Sequence, residues 1–305
     1  MTVRSRCGLA AVLFVAGLAV SLSPCDAGEL GKGAQPVRIG MVSTLFRDVP
    51  DSLIDTMAKP FGMLMATQTG LTGQLCKGGD AVELGAKLAD GTLHLGIFHG
   101  HEFAWARQQH PDLKPLVIAV NQSHKLKAFL VVKSDSDIAG FADLKEKSLN
   151  VPKGTRCHSH LFVECRCQDA CQTPMKDAVG KLNCANTAEE AIDEVVDGAS
   201  AAAIVDNVTL DMYQRRKPGR FAELKIVVES ETFPTGVVAY KAGLVDDATL
   251  GKFRDGLTGC HKTILGKQLL MLWKLSGFQA IPADYDRLLT DIAKAYPAPE
   301  VQISK

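Results

Sequence analysis

Residues 86–106, AKLADGTLHLGIFHGHEFAWA, and residues 194–213, EVVDGASAAAIVDNVTLDMY, follow one scheme. Each runs from the end of a helix through an Asp-Gly stop into an apolar strand, a short turn and a new helix. A strand set between helices is a piece of an α/β layer, and its repetition in one chain predicts two similar lobes.

The pattern extends outward from both copies. Around the first, VRIGMVS (37–43), LKPLVIAV (113–120) and KAFLVVKS (127–134) predict strands. FGMLMATQTG (61–70), AVELGAKLADG (81–91) and HEFAWARQQHP (101–111) predict helices, each stopped by glycine or proline. Around the second, FADLKEK (141–147) predicts a short helix, SLNVP (148–152) a strand and KLNCANT (181–187) an edge strand. TAEEAIDEVVDG (187–198) is an amphipathic helix, and LKIVVES (224–230) a strand. From Asp246 onward the pattern is helical.

Arg4 and Arg6 precede the apolar run Gly8–Leu22 and then SPCDAGEL, which predicts an exported chain with a signal peptide over 1–27, cleaved after Ala27. The run is short for a membrane span, which takes about 20 apolar residues. Lys+Arg and Asp+Glu both total 34. A balanced charge gives no basic excess for a nucleic-acid partner or a membrane surface. No glycine-rich nucleotide motif follows a strand, and no nucleophile is set beside a base, so the chain is expected to be neither an enzyme nor a cofactor carrier.

The order of elements, with VRIGMVST (37–44), HLGIFHGHEFAWA (94–106), DLKEKSLNVPKGTR (143–156) and DGASAAAIVDNVTLDMY (197–213), resembles the phosphate/phosphite/phosphonate-binding proteins of ABC importers. These are type 2 periplasmic binding proteins. The resemblance covers nearly all of the chain beyond the signal. It implies two α/β lobes with mixed sheets, helices on both faces and a central ligand cleft. Lobe one would hold 29–128 plus 241–305, and lobe two 132–236, with crossovers near 128–133 and 236–240. A monomer, periplasmic or secreted, would capture a small oxyanion and deliver it to an ABC permease.

In such folds ligands meet the C-terminal ends of strands and the helix N-termini that follow, where unpaired N–H groups favour anions. Four loops qualify: STLFRD (43–48), FHGHEF (98–103), PKGTRCHS (152–159) and VDNVT (205–209). They supply Ser43, Thr44, His99, His101, Glu102, Thr155, Arg156, Cys157, His158, Ser159 and Asp206 as candidate ligand contacts. Thr155 and Arg156 combine a hydroxyl with a fork of donors beside Gly154. Asp206 serves equally as the N-cap of the next helix, and Phe233 as packing.

The segment 154–171, GTRCHSHLFVECRCQDAC, holds Cys157, Cys165, Cys167 and Cys171 with His158 and His160. Its C-x-C spacing is not a structural zinc pattern, which uses C-x₂₋₄-C pairs. A metal would instead use Cys157, His158 and His160, facing His99 and His101 across the cleft. This metal or thiol-redox role is the alternative to anion capture. Leu161, Phe162 and Cys165 form an expected apolar stripe, and a disulfide is expected from Cys167 or Cys171 to Cys184.

Overall fold

The computed structural model describes residues 36–46, 62–63, 65–67 and 69–299. The expected signal peptide lies outside the described residues, and the expected helix over 61–70 lies only partly within them. No helix among the described residues is long and apolar enough to cross a membrane.

The first half of the chain supplies β1 (Val37–Val42), β2 (Gly73–Gly79), α1 (Ala81–Ala89), β3 (Leu95–Phe98), α2 (Gly100–Gln109) and β4 (Leu113–Val120). β5 (Lys125–Leu126) then leads to β6 (Ala128–Lys133), β7 (Ser148–Asn150), α3 (Cys157–Cys171), β8 (Lys181–Asn183), α4 (Ala188–Val196), β9 (Ala202–Asp206), α5 (Asn207–Arg216) and β10 (Leu224–Glu229). The chain closes with β11 (Phe233–Pro234), β12 (Val237–Lys241), α6 (Asp247–Gly259), α7 (Ile264–Leu272), β13 (Gly277–Gln279) and α8 (Tyr285–Ala295).

Two mixed sheets result, in the orders β13-β4-β12-β3-β1-β2 and β10-β6-β9-β7-β8. Their common part matches strand for strand. β3 runs parallel to β1 and antiparallel to β12, and β9 runs parallel to β7 and antiparallel to β6. The repeated sequence scheme therefore places its two strands, β3 and β9, at the same position of two equivalent sheets. Every residue of β1 and β9 is buried, which is why both read as largely apolar runs, broken only by Arg38 in β1 and closed by Asp206 in β9.

The chain changes sheet twice. The segments near 128–133 and 236–240, expected as crossovers, fall on β6 (Ala128–Lys133) and β12 (Val237–Lys241), each a full member of a sheet. The passages occupy 121–127 and 230–236 and pair with each other through the β5–β11 ribbon. The shift has a simple cause. Ala128 through Val132 are apolar and buried in the second sheet, whereas NQSHKLK just before them is polar. β2 and β13 carried no strand signal: GQLCKGG and GFQ lack an apolar run, and both strands lie at sheet edges.

One apolar cluster continues through both lobes, from Phe98 and Phe103 to Leu130, Phe162 and Ile204, with Phe233 of β11 between them. The C-terminal helix α8 seals this junction. Tyr285 donates from its hydroxyl to the Thr235 carbonyl at 2.9 Å, and the Trp105 indole donates to the Tyr296 carbonyl at 2.8 Å.

The cysteines depart from expectation. The buried face of α3 is His158, Ser159, Phe162, Val163 and Cys167, a step of four residues that follows the helical period. Cys165, expected in the core stripe, is only partly buried, while Cys167 is the core thiol and is pushed up to about 12 by burial. None of the seven described cysteines is joined in a disulfide. The expected bridge to Cys184 does not form because Cys167 points into the core and Cys184 is exposed past β8, at the sheet edge. Cys171 donates instead to the Phe141 carbonyl at 3.9 Å.

Candidate functional site

Between the two sheets lies a cavity of about 480 Å³. Its first wall is built by the ends of β1 and β3. Thr44 follows β1, and His99, Gly100 and His101 carry the chain from β3 into α2. Gly100 is required there: a Cβ at this position would meet the Pro234 carbonyl oxygen at 2.2 Å. Its lack of a side chain lets the start of α2 press against β11.

His99 is the N-cap residue of α2, and Glu102 closes that end. The Glu102 carboxylate accepts from the His99 backbone N–H at 3.4 Å and from the Thr44 hydroxyl at 2.7 Å. Glu102 is buried, as is His101. The His101 ring stacks on His99 at 5.8 Å and meets Trp105 and Phe233 edge-on at 5.1 and 5.9 Å.

The second wall is the turn from β7 into α3. Gly154 takes a left-handed φ of 69°, a conformation that suits glycine. The Thr155 hydroxyl donates to the Pro152 carbonyl at 2.5 Å, which shapes the turn. Arg156 is the N-cap residue of α3, and its Nε meets the Asp206 carboxylate at 3.0 Å. Cys157 opens the helix, with Sγ 3.7 Å from His101 Nε2 across the cavity. His158 turns inward, its ring 5.4 Å from Phe233. Burial pushes His158 down to about 4, with Asp206 opposing and Arg156 reinforcing the shift, so its ring is neutral at pH 7.

Of the residues expected from the sequence, Thr44, His99, His101, Thr155, Arg156, Cys157 and His158 line the one cavity. Glu102 and Asp206 lie behind it in contact with lining residues, and Asp206 also caps α5 by accepting from the Thr209 N–H at 2.7 Å. Ser43 is exposed, and Ser159 is buried with its hydroxyl 3.3 Å from His158 Nε2. The expected metal trio is not assembled as such. Among the described residues, the set of three with ligand atoms within 4.8 Å of one another is His101, Glu102 and Cys157. Phe233 is fully buried at the junction, with Tyr296 at 4.8 Å.

Sequence patterns missed Asn121 and Thr235 in the two passages, and Trp273, Lys274 and Phe278 from the C-terminal third, all lining the cavity. Lys274 sits just beyond α7 with a left-handed φ of 51°. The only hint was the KLSG helix stop, which does not say where the stop points.

The profile of the family described as "ABC transporter, phosphonate, periplasmic substrate-binding protein" matches residues 48–285. No curated protein sequence matches the chain. Among solved structures, PhnD1 from Prochlorococcus marinus (MIT 9301), in complex with methylphosphonate, superposes with a TM-score of 0.56 at 15% identity, over 86% of this chain and 98% of that one. XAC2383 from Xanthomonas citri, bound to ATP, gives 0.54 at 14% identity over 85% and 96%. A binding protein component of an ABC phosphonate transporter from Pseudomonas aeruginosa gives 0.50 at 15% identity over 87% and 90%. At such identities the likeness establishes the two-lobed fold.

Proposed function

Given that the chain belongs to the phosphonate-type periplasmic substrate-binding proteins of ABC transporters, we propose that it captures a small oxyanion in the cavity between its lobes and delivers it to a permease. One observation carries the proposal: the N-termini of α2 and α3, one from each lobe, open onto the same cavity. Each helix start presents unpaired N–H groups and about half a positive charge, and two of them converging suit an anion held from both sides.

The side chains present complement that field. Arg156 has one donor on Asp206, and its guanidinium carries five N–H donors in all. Lys274 adds a cation from the C-terminal third. His158 lines the cavity as a neutral ring and adds no charge to it. A ligand gripped by both lobes binds the closed arrangement better than an open one, so binding shifts the population toward closure. Such a protein acts as an exported monomer whose N-terminal 27 residues are a signal.

Titration calorimetry with methylphosphonate, phosphite, phosphate and sulfate tests this. One of the four should bind, and Arg156→Ala should weaken it by tenfold or more, about 1.4 kcal/mol. Failure of all four would refute oxyanion capture. Unchanged affinity in the variant would remove Arg156 from the site.

A further inference from the structure

We propose that His101, Glu102 and Cys157 form a binding site for one borderline-soft divalent cation of the zinc type, assembled from both lobes. The site does not depend on oxyanion capture, since it uses a different set of atoms.

The first support is geometric. Imidazole nitrogen, carboxylate oxygen and thiolate sulfur are the three donor types that zinc takes, at about 2.0–2.3 Å. Two such donors on one tetrahedral ion sit roughly 3.5 Å apart. His101 Nε2 and Cys157 Sγ are 3.7 Å apart, and all three ligand atoms lie within 4.8 Å of one another. The residues are 56 positions apart in sequence and start helices of opposite lobes. Their meeting is therefore a product of the fold and not of local spacing.

The second support lies in how the donors are held. The His101 ring is fixed by His99, Trp105 and Phe233. The Glu102 carboxylate is oriented by the Thr44 hydroxyl and the His99 N–H. Metal ligands are characteristically locked by such outer contacts, which lower the cost of gathering them around an ion.

Charge is the main objection, because the α2 and α3 N-termini disfavour a cation. One thiolate and one carboxylate supply two negative charges, so the occupied site is neutral. Coordination displaces the proton shared by Cys157 and His101 in their hydrogen bond, which leaves to solvent as one H⁺ per ion. Three protein ligands leave a fourth position of a tetrahedral ion open. His101 and Cys157 border the cavity, so that position is available to water or an anion there.

The test uses the full chain, stripped with a chelator and kept in a phosphine reductant, titrated with Co²⁺ as a spectroscopic probe. One equivalent should produce tetrahedral bands and a thiolate charge-transfer band in the near ultraviolet, both bleached by Zn²⁺. Cys157→Ser should abolish the charge-transfer band, and Glu102→Gln should weaken Co²⁺ at least tenfold while retaining the band. Cys184→Ser, at an exposed thiol, should change neither. A band that survives in Cys157→Ser or is lost in Cys184→Ser, or a six-coordinate spectrum in the native chain, overturns the site. Thermal unfolding of each variant verifies that it is folded, and Glu102→Gln supplies the decision if Cys157→Ser is not. Titrations with methylphosphonate, phosphite, phosphate and sulfate in the presence of chelator separate the two proposals: failure of all four with the Co²⁺ bands intact fails anion capture alone, and binding of one without the Co²⁺ bands fails the cation site alone.

Discussion

The turns after β3 and β9 occupy the same place in equivalent sheets, yet they distribute their chemistry differently. After β3 the N-cap residue is His99, and the backbone is capped from three residues on by Glu102. After β9 the N-cap residue is Asp206, which does its own capping through Thr209 and also holds Arg156. The first turn thereby sets His99 and His101 along the cavity wall, while the second keeps its carboxylate behind the wall, where it holds the Arg156 guanidinium that the β7–α3 turn presents. Equal topology does not give equal function. Which side chain satisfies the helix start decides which side chain is left to face the cavity.

Three measurements sharpen or break this contrast. Phe233 is the hub on which His101, His158 and Tyr296 pack, so Phe233→Ala should cost about 3–5 kcal/mol in denaturant unfolding. A loss near 1 kcal/mol would show that the lobes are joined elsewhere.

The second concerns acid. In the first copy His94 precedes β3, buried beside Arg38, and burial followed by the Arg38 charge lowers it from 6.5 to about 4. The second copy has Ala201 at the matching position, which does not titrate. The unfolded chain binds the His94 proton below 6.5 and the folded chain only near 4, so stability is full above 6.5 and falls as pH drops toward 4. The His94 share is at most about 3 kcal/mol. Urea midpoints between pH 4 and 7 should flatten by that share in His94→Gln, with the His158 share remaining. An unchanged slope would place the acid sensitivity outside the first copy.

The smallest effect is at the second turn. Asp206→Ala should cost about 1–2 kcal/mol through the lost cap, and Asp206→Asn, which keeps an acceptor for the Thr209 N–H, should cost less. Equal losses in thermal unfolding would mean that the Arg156 pair, and not the cap, is what Asp206 provides.

Legibility in the sequence followed burial. Strands buried on both faces, such as β1, β6 and β9, announced themselves as apolar runs, and α1 and α4 as amphipathic turns with Asp-Gly stops. The edge strands β2 and β13 did not, because they are held by their neighbours' hydrogen bonds and not by an apolar pattern of their own. Seven of the expected contacts lie on the cavity because strand ends and helix starts are marked by local residues. Lys274 and Trp273 were invisible because they come from a helix stop at the far end of the chain.

The amino-acid order on its own thus determined the α/β repeat, the count of lobes and the loops that face between them, since period and stop signals act over a few residues. It left undecided where each thiol would go. Cys157 meets His101, Cys167 enters the core and Cys184 stays exposed, outcomes set by the face of α3 that packs and by the closeness of two helix starts. Those are long-range facts, fixed only when the sheets come together, and spacing along the chain carries no record of them.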